Sequence, residues 1–79
     1  DAEAALALAQ LLQLRNRWND GWKFIPGENR CYAIYNDSNE IEKGDGKNPN
    51  AVLSFKTENL RDKFLETFRD LITTALPLL

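Results

Sequence analysis

The sequence predicts an α+β domain: an N-terminal helix, a three-stranded antiparallel meander and a C-terminal helix, with both helices packed on one face of the sheet. Three observations predict it. Residues 2–19 and 58–76 repeat apolar side chains at the helical period, the segment between them alternates as strands do, and Gly, Pro, Asn and Asp cluster at the joins. Helices laid on one face of a sheet form one of the few layer arrangements that bury an apolar stripe against an apolar face. Three strands with one covered face suffice for independent stability.

The first helix is rich in Ala and Leu, both strong helix formers. At helical spacing Ala4, Ala7, Leu8, Leu11 and Trp18 share one side, with Ala5, Leu12 and Leu14 on its flanks. Glu3, Gln10, Gln13 and Arg17 take the opposite side. Arg15 falls inside the apolar arc, where its stem can lie on apolar surface while the guanidinium reaches water. Asn19, Asp20 and Gly21 end the helix, Gly21 being suited to the left-handed residue beyond a C-cap.

Pro26 and Gly27 signal a turn. A first strand is predicted over 30–35, with Cys31, Ala33 and Tyr35 facing one way and Tyr32 and Ile34 the other. Either set fits the covered face. Residues 36–39, Asn-Asp-Ser-Asn, form a tight polar turn. A short second strand follows over 40–43, then a flexible loop over 44–50, then a third strand over 51–55 in which Ala51, Leu53 and Phe55 share a face. Thr57 is an N-cap, and Glu58 and Asp62 suit the positive end of the second helix. That helix sets Leu60, Phe64, Leu65, Phe68, Leu71, Ile72 and Ala75 on one arc and Asp62, Lys63, Glu66, Arg69 and Asp70 on the other, until Pro77 ends it.

With 79 residues the chain makes a single domain over 1–79. No Met occurs, even at position 1, as expected of a piece cut or processed from a longer protein. The formal charge of −2 is spread evenly: three acids and three bases over 1–25, five and four over 26–56, four and three over 57–79. No segment offers the basic footprint of a nucleic-acid binder, and no apolar run is long enough to span a bilayer. A lone cysteine, Cys31, has no internal partner, which with the absence of a basic-flanked leader points to a reducing, cytoplasmic setting.

Little catalytic chemistry is legible. The chain has no His, the commonest general base at neutral pH and the commonest metal ligand. Cys31 alternates within a strand and reads as a small buried residue. Asp37, Ser38 and Asn39 begin like a calcium loop, but Glu42 occupies the place of the sharp-turn glycine. Asp45, Asn48 and Asn50 form a polar loop before they form a cation site, and Glu66 and Asp70 lie on a solvated arc. Gly44, Asp45, Gly46 and Lys47 lack the spacing and the following helix of a phosphate-cradling loop. The expectation is a non-enzymatic domain with no cofactor and no metal.

Two binding readings follow. The first helix has a wide apolar arc, and Leu76, Leu78 and Leu79 extend beyond the second, so Leu8, Leu11, Leu12, Leu76 and Leu79 are placed at an interface with a protein partner, a second copy or another chain. The alternative is a small ligand-binding module for a nucleotide, single strand or glycan, using Trp22, Tyr32 and Tyr35 as an aromatic platform beside Lys23 and Arg30. Trp18 and Phe24 read as core.

One resemblance stands beside this reading. Leu14-Arg15 with Trp18-Asn19 and Gly21-Trp22, the run 32–35 (Tyr-Ala-Ile-Tyr), and the runs 53–58 (Leu-Ser-Phe-Lys-Thr-Glu) and 60–72 carry it. Together they resemble short uncharacterised phage- and mobile-element-associated proteins of gut bacteria. The resemblance covers most of the chain and implies the helix–meander–helix architecture and a mobile-element setting, with no activity. The chain departs from it at 43–46, where a longer, more apolar second strand is implied.

Overall fold

The computed structural model describes residues 1–22, 25, 27–47 and 52–79. Helix α1 spans Ala2–Asn19, strands β1, β2 and β3 span Cys31–Asp37, Glu40–Gly46 and Leu53–Phe55, and helices α2 and α3 span Glu58–Thr67 and Arg69–Ala75, followed by a 3-10 turn at Leu76–Leu78. The expected class holds: an N-terminal helix, a three-stranded antiparallel sheet, then C-terminal helical structure packed against it.

Local chemistry fixes the helix ends. The Asp1 carboxylate accepts the Ala4 amide at 2.8 Å, and the Thr57 hydroxyl accepts the Leu60 amide at 3.1 Å, each satisfying a first-turn donor that has no intrahelical partner. At the far end of α1 the left-handed cap is Asp20 (φ 49°), one residue earlier than expected, and Gly21 (φ 83°) follows it. Asp tolerates this region because its short polar side chain bonds locally.

The sheet order is β2-β1-β3, so the strands do not lie side by side in chain order as a meander would. Composition explains this. β1 carries buried Cys31, Ala33 and Ile34 and suits the centre, whereas β2 reads Glu-Ile-Glu-Lys-Gly-Asp-Gly and suits an edge, where charge discourages further pairing. The β1–β2 turn is only two residues, Ser38 and Asn39, both with positive φ (55° and 66°), because that backbone matches the twist of the flanking strands. Asn36 and Asp37 therefore belong to β1.

Strand β2 is also longer than the predicted 40–43, running to Gly46 with Gly44 paired to Ala33. Tyr35 explains why a glycine is accommodated there: a Cβ on Gly44 would stand 3.0 Å from the Tyr35 ring, which lies over the glycine on the outer face. Glycine in this strand makes room for a ring. Ala51, assigned to the third strand, lies outside the described residues, as do Lys23, Phe24, Pro26, Asn48 and Asn50.

The pleat settles which face the helices cover. Tyr32 and Ile34, with Phe55 and Leu53 opposite them on β3, point toward the helices, and Cys31, Ala33 and Tyr35 point away. Ile34, Leu53 and Phe55 meet Leu11, Phe64, Leu65, Ile72 and Ala75 in the core. Trp18 stands edge-on to Phe64 at 5.2 Å between centroids, and Phe64 in turn lies 4.6 Å from Phe55 and 4.8 Å from Phe68. The second helix is broken at Phe68 (φ −116°, ψ 27°). Just before the break the Thr67 hydroxyl donates to the Lys63 carbonyl at 2.7 Å, a bond that bends helices. The bend lets α3 lie along α1, while α2 stays on the sheet.

Candidate functional site

The side of the molecule formed by α1 and α3 carries the surface with most to offer a partner. Trp18, near the end of α1, touches Phe68, at the start of α3, and α1 also contacts the 3-10 turn, so the two helices run antiparallel. Between them opens a shallow groove of about 280 Å³ whose floor is Leu14, Phe68 and Leu71 and whose rim is Gln10, Gln13 and Arg17. Leu6 lies four residues before Gln10 on the same stripe of α1 and is 62% exposed; Leu78, beyond α3, is 44% exposed. A large apolar residue left in water beside an apolar groove, over a core that is already filled, is the composition of a contact surface.

This differs from the expected one. Leu11 is fully buried (0%) within the core and has no surface to give a partner, a correction to its place in the predicted interface. Leu8, Leu12 and Leu79 are half-buried and packed against the core, and Leu76 is half-buried with its carbonyl accepting the Asn36 amide at 2.9 Å. The wide arc of α1 is mostly consumed internally, because that helix meets β3, α3 and the 3-10 turn at once. Leu6 was missed because it lies on the polar side. Its signal was the spacing of Glu3, Leu6, Gln10, Gln13 and Arg17, alternately three and four residues apart.

The aromatic platform does not assemble. Tyr32 and Tyr35 are three apart on one strand and so point to opposite faces. Tyr32 faces α2, beneath the Arg61 guanidinium at 5.7 Å, and Tyr35 lies over Gly44 on the outer face. Trp22 is half-buried at the end of α1, its amide donating to the Asn19 carbonyl at 3.1 Å.

A second cluster was not visible in the sequence. Arg61 is 6% exposed; it donates to the Gly44 carbonyl at 3.1 Å and through Nε to one oxygen of Asp62 at 3.0 Å, with Nη2 in an ion pair 3.0 Å from the same oxygen. Lys43 stands 3.5 Å from the same oxygen. The hydrogen bond from Arg61, with the nearby charges of Arg61 and Lys43, holds the Asp62 carboxyl below the usual carboxylate range. These groups satisfy one another and fasten α2 to the sheet.

The remaining sequence candidates are absorbed by structure. Asp45 pairs with Arg30, the Gly44–Lys47 segment is strand rather than loop up to Gly46, and Asp37, Ser38 and Asn39 make the hairpin. Burial pushes the Cys31 thiol up, which keeps it protonated and unreactive. Among the described residues no group of three or more His, Cys, Asp or Glu side chains is placed to hold a metal, and no helix is long and apolar enough to cross a membrane. No family model matches the chain, and comparison with curated proteins and with solved structures finds no match for it.

Proposed function

We propose that this chain is a non-catalytic protein-interaction domain that binds through the α1–α3 side. One observation carries the reading: Leu6 is 62% exposed on the stripe that borders a groove floored by Leu14, Phe68 and Leu71. Polar rim residues around an apolar centre are the usual anatomy of a protein contact, and the mixed Gln10, Gln13 and Arg17 rim gives hydrogen bonding without a strong field. The ligand-platform alternative loses its support, since its two tyrosines do not share a surface. A cytoplasmic setting rests on the lone buried thiol, and a mobile-element origin on the sequence resemblance alone.

A photo-crosslinking residue in place of Leu6, with a control at exposed Glu66 on α2, tests the reading in the native cells. A discrete adduct at position 6 and none at position 66 is expected. Absence of any adduct at position 6 counts against the surface.

A further inference from the structure

We infer that the occupant of the groove is a second copy of this chain, held by antiparallel pairing of the two α1 helices about a two-fold axis at Gln10; this rests on the interaction reading above and names its partner. The outward stripe of α1 carries Glu3, Leu6, Gln10, Gln13 and Arg17, all exposed and spaced three, four, three and four residues apart. That is the seam along which two helices pack lengthwise. What singles out self-pairing is the order of the side chains. In an antiparallel pair crossing at position 10, residues whose numbers sum to twenty face each other. Glu3 then meets Arg17 of the second copy, Leu6 meets Leu14, which flanks the stripe in the groove, Gln10 meets Gln10, and Gln13 lies over the turn of the buried Ala7.

Each contact off the axis is made twice, as an isologous interface requires. Acid meets base at both ends, and the amide at the centre can both donate and accept across the axis. Leu14 forms the groove floor with Phe68 and Leu71, so Leu6 of each copy enters the groove of the other. The side chain most exposed among the large apolar residues described thus fills the apolar hollow. At about 1.5 Å rise per residue the two leucine contacts lie about 6 Å to either side of the axis and the ion pairs about 10.5 Å, within the length of α1. Parallel pairing instead sets Glu3 on Glu3 and Arg17 on Arg17, and leaves Leu6 away from the groove.

The test uses the full chain and two single charge reversals, Glu3→Arg and Arg17→Glu, followed by sedimentation across micromolar to millimolar concentration at low salt. The wild-type chain should dimerise reversibly. Each reversal alone should weaken association at least about tenfold, since both exposed ion pairs turn repulsive. An equimolar mixture of the two variants should restore it, because in the mixed dimer one ion pair is the native Glu3–Arg17 contact and the other returns with its signs exchanged. Mixing Arg17→Glu with Glu42→Arg, which makes the same charge change on the outer sheet face, should not. Circular dichroism checks that the variants fold, and Leu6→Gln, which leaves charge unchanged, should weaken the dimer independently. A wild-type chain monomeric throughout, or a mixture no more associated than its components, overturns the inference. The interaction reading then stands only if position 6 crosslinks to a different protein; if it crosslinks to nothing, both fall.

Discussion

Asn19 and Arg61 are the polar side chains buried among the described residues, and each ties a helix to the backbone of the sheet. Asn19 donates to the Ser54 carbonyl at 2.8 Å and accepts the Lys56 amide at 3.2 Å. In an antiparallel ladder alternate residues turn their N–H and C=O outward, so an edge strand has groups with no strand to pair them. Asn19 fills that role on β3, and Arg15 extends it by donating to the Val52 carbonyl at 2.6 Å. The sequence marks Asn19 only as part of a helix ending. Its partners stand 35 and 37 residues away, which no local pattern records. Asn19→Ala should cost about 1–3 kcal/mol in urea unfolding, the range for leaving buried groups unpaired. Asn19→Asp separates the two bonds. Ionised, the new carboxylate keeps the Lys56 amide but faces the Ser54 carbonyl with no proton to give. Protonated, it can donate to that carbonyl again. The folded state therefore raises the pKa of the introduced group, and the variant should lose stability relative to wild type as pH rises from about 4 to about 7. Equal deficits at both pH values would show that the Ser54 bond contributes nothing.

At the scale of elements, the sequence foretold what local chemistry determines and missed what distant neighbours determine. The bounds of α1 and the Thr57 cap were legible because helical period and capping side chains are local signals. The length of β2 was not, since Gly44 and Gly46 read as loop until Tyr35 is known to lie over Gly44. Strand order was hidden for the same reason: a charged segment and a short apolar one flank a central strand only once the helices choose a face. The break at Phe68 likewise follows from the need of α3 to reach α1. The β1–β2 turn offers a direct test of element design. Ser38 holds a positive φ that Asn and Gly adopt at less cost, and a two-residue turn of this kind favours Asn-Gly. The double change Ser38→Asn with Asn39→Gly should stabilise the chain by about 0.5–1 kcal/mol in urea unfolding, the scale of relieving unfavourable turn backbone. A lower midpoint would mean that the Asn39 amide bond to the Asn36 side chain depends on the native turn residues.

For the molecule as a whole, the question is how one helix can serve both an interior and an exterior. Leu11 and Leu6 are five residues apart on α1, both leucine, and the structure gives them opposite roles: Leu11 is fully buried and Leu6 is mostly in water. From the sequence, the breadth of the apolar arc suggested a surplus. Contacts with β3, α3 and the 3-10 turn absorb nearly all of it, and what remains outside is a leucine on the polar stripe. Folding and association therefore draw on different residues of one helix and are separable by mutation. Leu11→Ala opens a cavity among Ile34, Phe55, Phe64 and Ile72 and should cost about 2–5 kcal/mol, a large share of the roughly 4–12 kcal/mol expected for a chain of this length. Leu6→Ala removes a side chain that folding does not bury, so monomer stability should stay within about 0.5 kcal/mol of wild type. Where the wild-type midpoint of thermal unfolding rises with protein concentration, as coupled association demands, that of the Leu6 variant should rise less, because the folded state gains less from a partner. The Leu11 variant should unfold earlier at every concentration. If Leu6→Ala proved as costly to the dilute monomer as Leu11→Ala, the exposed leucine would belong to the core and the division of labour on α1 would be lost.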